Sequence, residues 1–271
     1  MNNIKVRILE KSDTKLKFIV EGINPSLANA LRRTMIADVP VMAIDEVVIL
    51  ENTSVLPDEI LAHRLGLIPL RVDLETYQDV FLIEEEEKAT SLQVRLMLDI
   101  EAADGPMTVY SGHLKSEDPH VVPAHHNIPL VKLERGQKVV LEAFARFGKG
   151  KEHAKWQPVS ACAYKYMPVI TILEDRCDLC EACINECPKK VLDVSEGKLV
   201  VKDVLKCTTC RICEQVCPKE AIKVSWDDTT FIFNIETIGS LPPEEVVKKA
   251  VDIIIKKSEI FKDMVKSIEG E

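Results

Sequence analysis

The first forty residues contain two alternating segments followed by one amphipathic segment. Residues 4–9 (IKVRIL) and 15–20 (KLKFIV) alternate apolar and polar positions, with a short polar turn between them. This pattern predicts a β-hairpin with one buried face. Asn24 and Pro25 then provide a helix cap and a first-turn proline, and the apolar stripe that follows predicts a helix to about Asp38.

The middle of the chain is predicted to consist mostly of strands and loops. Residues 42–50 (MAIDEVVIL) have the pattern of a strand, and residues 57–66 (PDEILAHRLG) that of a short helix. The acidic run at 84–87 is interpreted as a solvated loop rather than as a metal site. Further strands are predicted at 91–102, 107–114, 128–133 and 138–148.

The C-terminal region is predicted to form one strand and one long helix. Residues 230–238 (TFIFNIETI) alternate, and the helix is expected from about Glu244. One stripe of that helix contains Val247, Val251, Ile254, Ser258, Phe261, Val265 and Ile268, and a second contains Val246, Ala250, Ile253, Lys257, Ile260 and Met264. Because one stripe is enough to pack a helix on a sheet, two predict contact with a partner chain as well. The alternative is a single wide face buried within one core.

Length and charge narrow the class of protein. A chain of 271 residues has room for about two domains. It contains no run of 18 apolar residues, and its N-terminus lacks the pattern of a signal peptide, so a cytoplasmic protein without a membrane span is expected. The net charge of −9 disfavours a broad basic surface for nucleic acid, although other chains of a complex could supply one.

Eight of the nine cysteines form two runs with the same spacing. Each run reads C-x2-C-x2-C-x3-C and is followed by proline, at Pro188 and Pro218. This is the ferredoxin signature, in which the fourth cysteine of each run binds the cluster of the other run. The predicted sites are Cys177, Cys180, Cys183 and Cys217 for one cluster, and Cys207, Cys210, Cys213 and Cys187 for the other. The alternative is a pair of structural zinc sites, but zinc does not require a third cysteine at fixed spacing or a trailing Cys-Pro.

The two runs belong to an internal repeat. A shift of 30 residues superimposes all four cysteines, and it also places Leu192 on Ile222 and Val194 on Val224. A half that cannot enclose a cluster alone becomes stable when it is paired with its copy. The repeat predicts a small domain over about 169–225. Cys162, the ninth cysteine, lies outside this block and is interpreted as a buried, inert thiol.

Three further segments carry a resemblance to a known family. Residues 24–70 (NPSLANALRRTMIADVPVMAIDEVVILENTSVLPDEILAHRLGLIPL), 147–164 (FGKGKEHAKWQPVSACAY) and 230–268 resemble the D subunits of archaeal RNA polymerase. They are also similar to the third-largest subunit of eukaryotic polymerase II and, more distantly, to the N-terminal domain of the bacterial α subunit. Many archaeal D subunits contain a ferredoxin-like insertion.

The resemblance implies an α+β fold with a discontinuous dimerisation domain. Residues 1–40 and 226–271 would form that domain, with an antiparallel sheet and two helices. Residues 41–168 would form an inserted mainly-β domain, and residues 169–225 an inserted ferredoxin-like domain. Because residues 41–161 contain no cysteine, the zinc site that some relatives carry there is not expected. The complete set of eight cysteines implies two [4Fe–4S] clusters.

The resemblance also implies a function without catalysis by this chain. The chain would be an assembly subunit of DNA-directed RNA polymerase, a nucleotidyltransferase. It would form a heterodimer with the small L subunit, and then bind the large catalytic subunits and the small N- and P-like subunits. No catalytic residue and no specific DNA contact are expected. His63 and His153 lie in family motifs and are assigned packing or interface roles, while Arg32-Arg33 is either a solvated helix face or a contact to a large subunit.

A second hypothesis follows from the cysteines alone, because domains with two clusters commonly carry electrons. The chain would then be the electron-transfer subunit of an oxidoreductase. The sequence contains no G-x-G-x-x-G fingerprint for a flavin or nicotinamide cofactor, which disfavours this hypothesis.

The sequence leaves two roles open for the clusters. They could take the place of a hydrophobic core in the small inserted domain, or they could couple polymerase assembly to redox state or iron supply.

Overall fold

The computed structural model describes residues 4–73, 76 and 92–269. These residues form an α+β fold with five α-helices and mostly antiparallel sheets, which confirms the predicted fold class. The acidic run at 84–87 lies outside the described residues. Within the described part of the chain, no helix is long and apolar enough to cross a membrane.

Two strands near the N-terminus and two from the second half of the chain form one sheet. They are β1 (Lys5–Lys11), β2 (Lys15–Glu21), β11 (Val159–Ile172) and β14 (Ile222–Thr237), in the order β1-β2-β14-β11. The predicted hairpin segments and the predicted strand at 230–238 are therefore all strands.

Contacts divide the chain into two compact units. The first unit consists of Met1–Leu9, Lys17–Ala28 and Tyr164–Phe233. The second unit consists of Glu10–Leu16, Asn29–Ala163 and Asn234–Glu271.

The second unit contains a four-stranded antiparallel sheet. Its strands are β3 (Val41–Asn52), β10 (Lys138–Gly148), β5 (Gln93–Glu101) and β7 (Lys115–Ser116), in that order. Alternate residues of β10 are buried, so one face of the sheet lines the core. Helix α2 (Asp58–Gly66) packs on this core through Leu61 and Leu65.

Two short antiparallel pairs extend the same core. β4 (Leu70–Val72) pairs with β8 (Val121–Pro123), and β6 (Met107–Tyr110) pairs with β9 (Pro129–Leu133). Buried side chains from these strands join those of β3, β5 and β10 in one hydrophobic cluster. The predicted strands at 42–50, 91–102, 107–114, 128–133 and 138–148 are confirmed, and 107–114 also includes a short 3-10 turn.

Helices α1 (Pro25–Ala37) and α5 (Pro243–Glu269) match the predicted terminal helices. The Asn24 side chain accepts a hydrogen bond from the amide of Leu27 at 2.8 Å, as its capping role predicts. In α5, Val246 and Ala250 are fully buried. The apolar side chains from Val251 to Val265 are half-buried or exposed, so this described part of the helix does not form a single wide face buried in one core.

The cysteine block lies in the first unit and repeats its own structure. Helix α3 (Ala182–Asn185) recurs 30 residues later as α4 (Ile212–Gln215). Between the two helices, β12 (Leu192–Ser195) pairs with β13 (Lys198–Val201). The block has a small hydrophobic core of its own, which includes Val191, Leu199 and Ile222 together with four of the cysteines.

Candidate functional site

The eight cysteines line two separate cavities. The first cavity, of about 370 Å³ including open solvent, is lined by Cys177, Cys180, Cys183 and Cys217. The second, of about 320 Å³, is lined by Cys187, Cys207, Cys210 and Cys213. Each cavity thus receives three cysteines from one run and the fourth from the other. These are the two sets that the ferredoxin spacing predicts.

The loops that carry the cysteines share an unusual backbone. Leu179 and Glu181 in the first run have φ of 58° and 59°, and Thr209 and Arg211 in the second have φ of 54° and 60°. Side chains other than glycine rarely adopt this left-handed conformation, which costs roughly 1–2 kcal/mol per residue. Because the same strained backbone recurs at equivalent positions of both runs, the two loops have the same tight conformation. Each loop holds three sulfurs around its cavity.

The sulfurs affect one another electrostatically. Burial raises the pKa of Cys183, and the thiols of Cys217, Cys177 and Cys180 raise it further. Burial together with the thiols of Cys187, Cys207 and Cys210 raises the pKa of Cys213 to about 11. Without a cofactor these two thiols are therefore protonated at neutral pH, and a metal centre would displace their protons on binding.

Backbone amides supply further polar contacts to the sulfurs. The amide of Thr209 donates a hydrogen bond to Cys207 Sγ at 3.4 Å, and the amide of Ala221 donates one to Cys217 Sγ at 3.2 Å. Lys165, from β11, donates from Nζ to the carbonyl oxygens of Leu205 and Cys207 at 2.6 and 2.8 Å. Hydrogen bonds to sulfur stabilise thiolate ligands and tune the reduction potential of iron–sulfur centres.

Each cavity offers four thiols as donors, a set that both a zinc ion and a four-iron cluster can take. A single zinc ion requires four ligand atoms that all lie about 2.3 Å from one point. Among the described residues, no group of three or more His, Cys, Asp or Glu side chains is close enough together to hold an ion in this way. The four thiols around each cavity are the donor set that a four-iron cluster takes.

A different surface, on α5, has the character of an interface. Large apolar side chains are exposed along its second half, and Phe261 is 70% and Met264 62% exposed. A helix that needed only its own domain would bury these residues. Val6 and Ile8 of strand β1 are also exposed apolar side chains, as is Ile4 just before the strand.

Comparison with known proteins places the chain in a family. Residues 17–258 match the family model described as the RNA polymerase Rpb3/Rpb11 dimerisation domain. The chain belongs to this family. A DNA-directed RNA polymerase subunit Rpo3 of Methanosarcina acetivorans is 46% identical over 260 residues, which cover 94% of this chain and 96% of that protein.

Other relatives match over a similar length. The subunits Rpo3 of Archaeoglobus fulgidus and Methanothermobacter thermautotrophicus are 44% identical over 270 residues and 46% identical over 257 residues. These matches cover 98% and 94% of this chain, and 99% and 96% of the relatives. The resemblance that the sequence motifs indicate is confirmed. The matches are to polymerase subunits, so they favour the first functional hypothesis over an oxidoreductase subunit.

The family segment at 147–164 is a packing motif. Trp156 is almost fully buried, and the Arg146 guanidinium and the Lys155 ammonium each lie 4.4 Å from the centroid of its ring. Both cations also pair with Asp45. The ring of His153 accepts a hydrogen bond from the amide of Lys155 at 3.0 Å, so this histidine has a structural role.

Arg32, Arg33 and Cys162 differ in their surroundings. Arg32 donates two hydrogen bonds to Asn29, at 3.0 and 3.2 Å, whereas Arg33 is exposed. Cys162 is half-buried rather than fully buried, and its thiol lies 3.9 Å from the carbonyl oxygen of Arg32. Burial raises the pKa of Cys162 to about 11, which makes it a poor nucleophile, as an inert thiol should be.

Proposed function

We propose that this non-catalytic subunit of DNA-directed RNA polymerase is an assembly platform. Its C-terminal helix α5 would bind the smaller L-like subunit, and the heterodimer would then bind the large catalytic subunits and the small N- and P-like subunits. The exposed apolar half of α5 carries this proposal, because such a surface is a liability in a monomer and is relieved by a partner helix.

We further propose that residues 169–225 bind two [4Fe–4S] clusters. Cys177, Cys180, Cys183 and Cys217 would hold one cluster. Cys187, Cys207, Cys210 and Cys213 would hold the other. The division of the cysteines between two cavities is the observation that supports this assignment. When bound, the clusters supply metal–thiolate bonds to a block with little apolar mass, and they can store single electrons.

The proposed cofactors also indicate the compartment. Cysteines clustered as metal ligands are typical of proteins from a reducing compartment, so we infer that the chain acts in the cytoplasm. The positive surface that a polymerase needs for DNA would come from other subunits, because this chain carries a net charge of −9.

Cluster binding is tested on the full chain, co-expressed with its L-like partner and purified without oxygen. About eight irons and eight sulfides per chain are expected from two four-iron clusters. The Cys183→Ser variant should impair the cluster that shares Cys217 more than the other, which EPR would resolve. Cys162→Ser is the control, and it should leave the iron content unchanged. Zinc in place of iron in the oxygen-free preparation would refute the assignment.

A further inference from the structure

The two cysteine cavities share their backbone geometry but differ in the charges that line them. The charged residues of the first cavity are Asp178, Glu181 and Lys219, which carry a formal charge of −1 together. Those of the second cavity are Lys189 and Arg211, which carry +2. A cofactor in the second cavity therefore lies in a more positive environment than a cofactor in the first.

The difference arises at two equivalent positions of the repeat. Lys189 and Lys219 are related by the 30-residue shift. Each gives its cavity one positive charge, so they do not contribute to the difference in charge. Asp178 corresponds to Thr208, and its carboxylate accepts a hydrogen bond from the amide of Cys180 at 3.3 Å. Glu181 corresponds to Arg211, and the two have almost the same φ, 59° and 60°. Equivalent backbone thus carries an acidic residue at one cavity and a basic residue at the other.

Two neighbouring groups change the charge difference between the cavities: Glu214 reduces it and Lys165 increases it. Arg211 lies 3.8 Å from the carboxylate of Glu214 and 5.7 Å from the ring of Trp226, and Glu214 does not line the cavity. Lys165 lies ahead of the repeat, and its Nζ donates to the carbonyl of Cys207 at 2.8 Å. It therefore places a further cation beside the second site.

We infer that the two sites differ in reduction potential, and that the site formed by Cys187, Cys207, Cys210 and Cys213 takes the first electron. Reduction adds one negative charge to a cluster and its four thiolates, and a positive environment stabilises that charge. The electron comes from a low-potential one-electron donor, which loses one electron, and no bond to the thiolates forms or breaks. The expected preference is at least tenfold, which corresponds to about 59 mV for a one-electron couple.

Because this inference rests on the proposed cluster binding, iron and sulfide are counted first on the full chain purified without oxygen. A preparation with fewer than two four-iron clusters per chain refutes the proposed function. A preparation with both clusters is titrated with sodium dithionite, and the reduced clusters are followed by EPR at controlled potential. Two midpoints are expected, the upper one from the second site.

Two single variants assign the midpoints. Arg211→Glu should lower the upper midpoint, and Glu181→Arg should raise the lower one, because each changes the charge at one cavity. Lys165→Met should also lower the upper midpoint. Lys115→Glu, which lines neither cavity, changes the net charge as much as Arg211→Glu and should move neither midpoint. The inference is overturned if Arg211→Glu moves the lower midpoint, moves both equally, or moves neither.

Discussion

Gly148 lies so close to the indole ring of Trp156 that a β-carbon at position 148 would overlap the ring. The glycine ends β10, and the tryptophan follows eight residues later in a 3-10 turn, so the segment between them folds back on the strand. The indole Nε1 donates to the carbonyl of Arg146 at 3.3 Å, which fixes the ring in this position. The close approach explains why a residue without a side chain is needed at position 148.

Replacing Gly148 with alanine should therefore destabilise the chain. Overpacking of this kind costs about 1–3 kcal/mol, because the ring or the strand must shift. The free energy of unfolding, measured with urea by circular dichroism, would show the loss. Gly105→Ala is the matched control, since a β-carbon at position 105 meets nothing within 4 Å. Equal stability of the two variants would mean that the contact with Trp156 adapts without cost.

Replacing Phe261 with aspartate should abolish binding of the L-like partner while leaving the chain folded. The side chain is 70% exposed in the isolated chain, and burying an unpaired carboxylate at an interface costs several kcal/mol. Ile254→Asp should weaken binding as well, but Ile254 is half-buried, so its effect on folding must be measured too.

Co-expression followed by size exclusion would report heterodimer formation by these variants. Lys262→Asp is the control, because it places the same carboxylate one residue further along the exposed part of α5. If both the Phe261 and Ile254 variants elute with the partner at wild-type affinity, α5 is not the interface.

Deleting residues 174–220 should leave heterodimer formation intact. The two ends of this block are adjacent, since the amide of Leu173 donates to the carbonyl of Ala221 at 2.8 Å, so a short linker can join them. The variant should contain no iron and still elute with the partner. A folded deletion variant that fails to bind the partner would show that the cysteine block takes part in dimerisation.

Acid should remove the contribution of Asp45 to stability. Burial alone would raise the pKa of this carboxyl, but hydrogen bonds from Lys155 and Arg146 outweigh it and lower the pKa below the usual value. A depressed pKa stabilises the folded state above the pKa of the unfolded chain, and this contribution is lost as the pH falls through the folded pKa. Asp45→Asn should thus be less stable than the wild type at pH 7, and the difference should shrink below about pH 4.

Urea unfolding of both chains at pH 7 and at about pH 3.5 would measure this difference. The Asp99→Asn variant serves for comparison, because Asp99 is 70% exposed and contacts only the Lys138 ammonium at 3.5 Å among the ion pairs described. A difference between wild type and Asp45→Asn that stays constant with pH would contradict the role of the Asp45 charge.

The sequence predicts those features of the fold that depend on local pattern. The periods of apolar residues locate β3, α2 and the long helix α5, and the cysteine spacing predicts which sulfurs share a cavity. The left-handed residues of the loops are not predictable in this way, because Leu179 and Arg211 are ordinary residue types and only the closed loop imposes their conformation.

Contacts between distant segments are a second kind of feature that periodicity misses. Lys165 lies in a strand, yet its ammonium binds carbonyl groups 40 and 42 residues later. The pairing of Asp45 with Arg146 and Lys155 similarly depends on the register of β3 against β10, which a single sequence does not specify.

The exchange of cysteines between the two runs also sets an order of events during translation. The second cavity acquires its last cysteine at position 213 and the first cavity at position 217, so neither is complete until almost the whole repeat has left the ribosome. Helix α5 begins only at Pro243. A nascent chain therefore contains all eight thiols before the helix that would bind its partner is complete. A chain truncated after the first run would keep four of these eight cysteines, but it would lack at least one cysteine of each cavity.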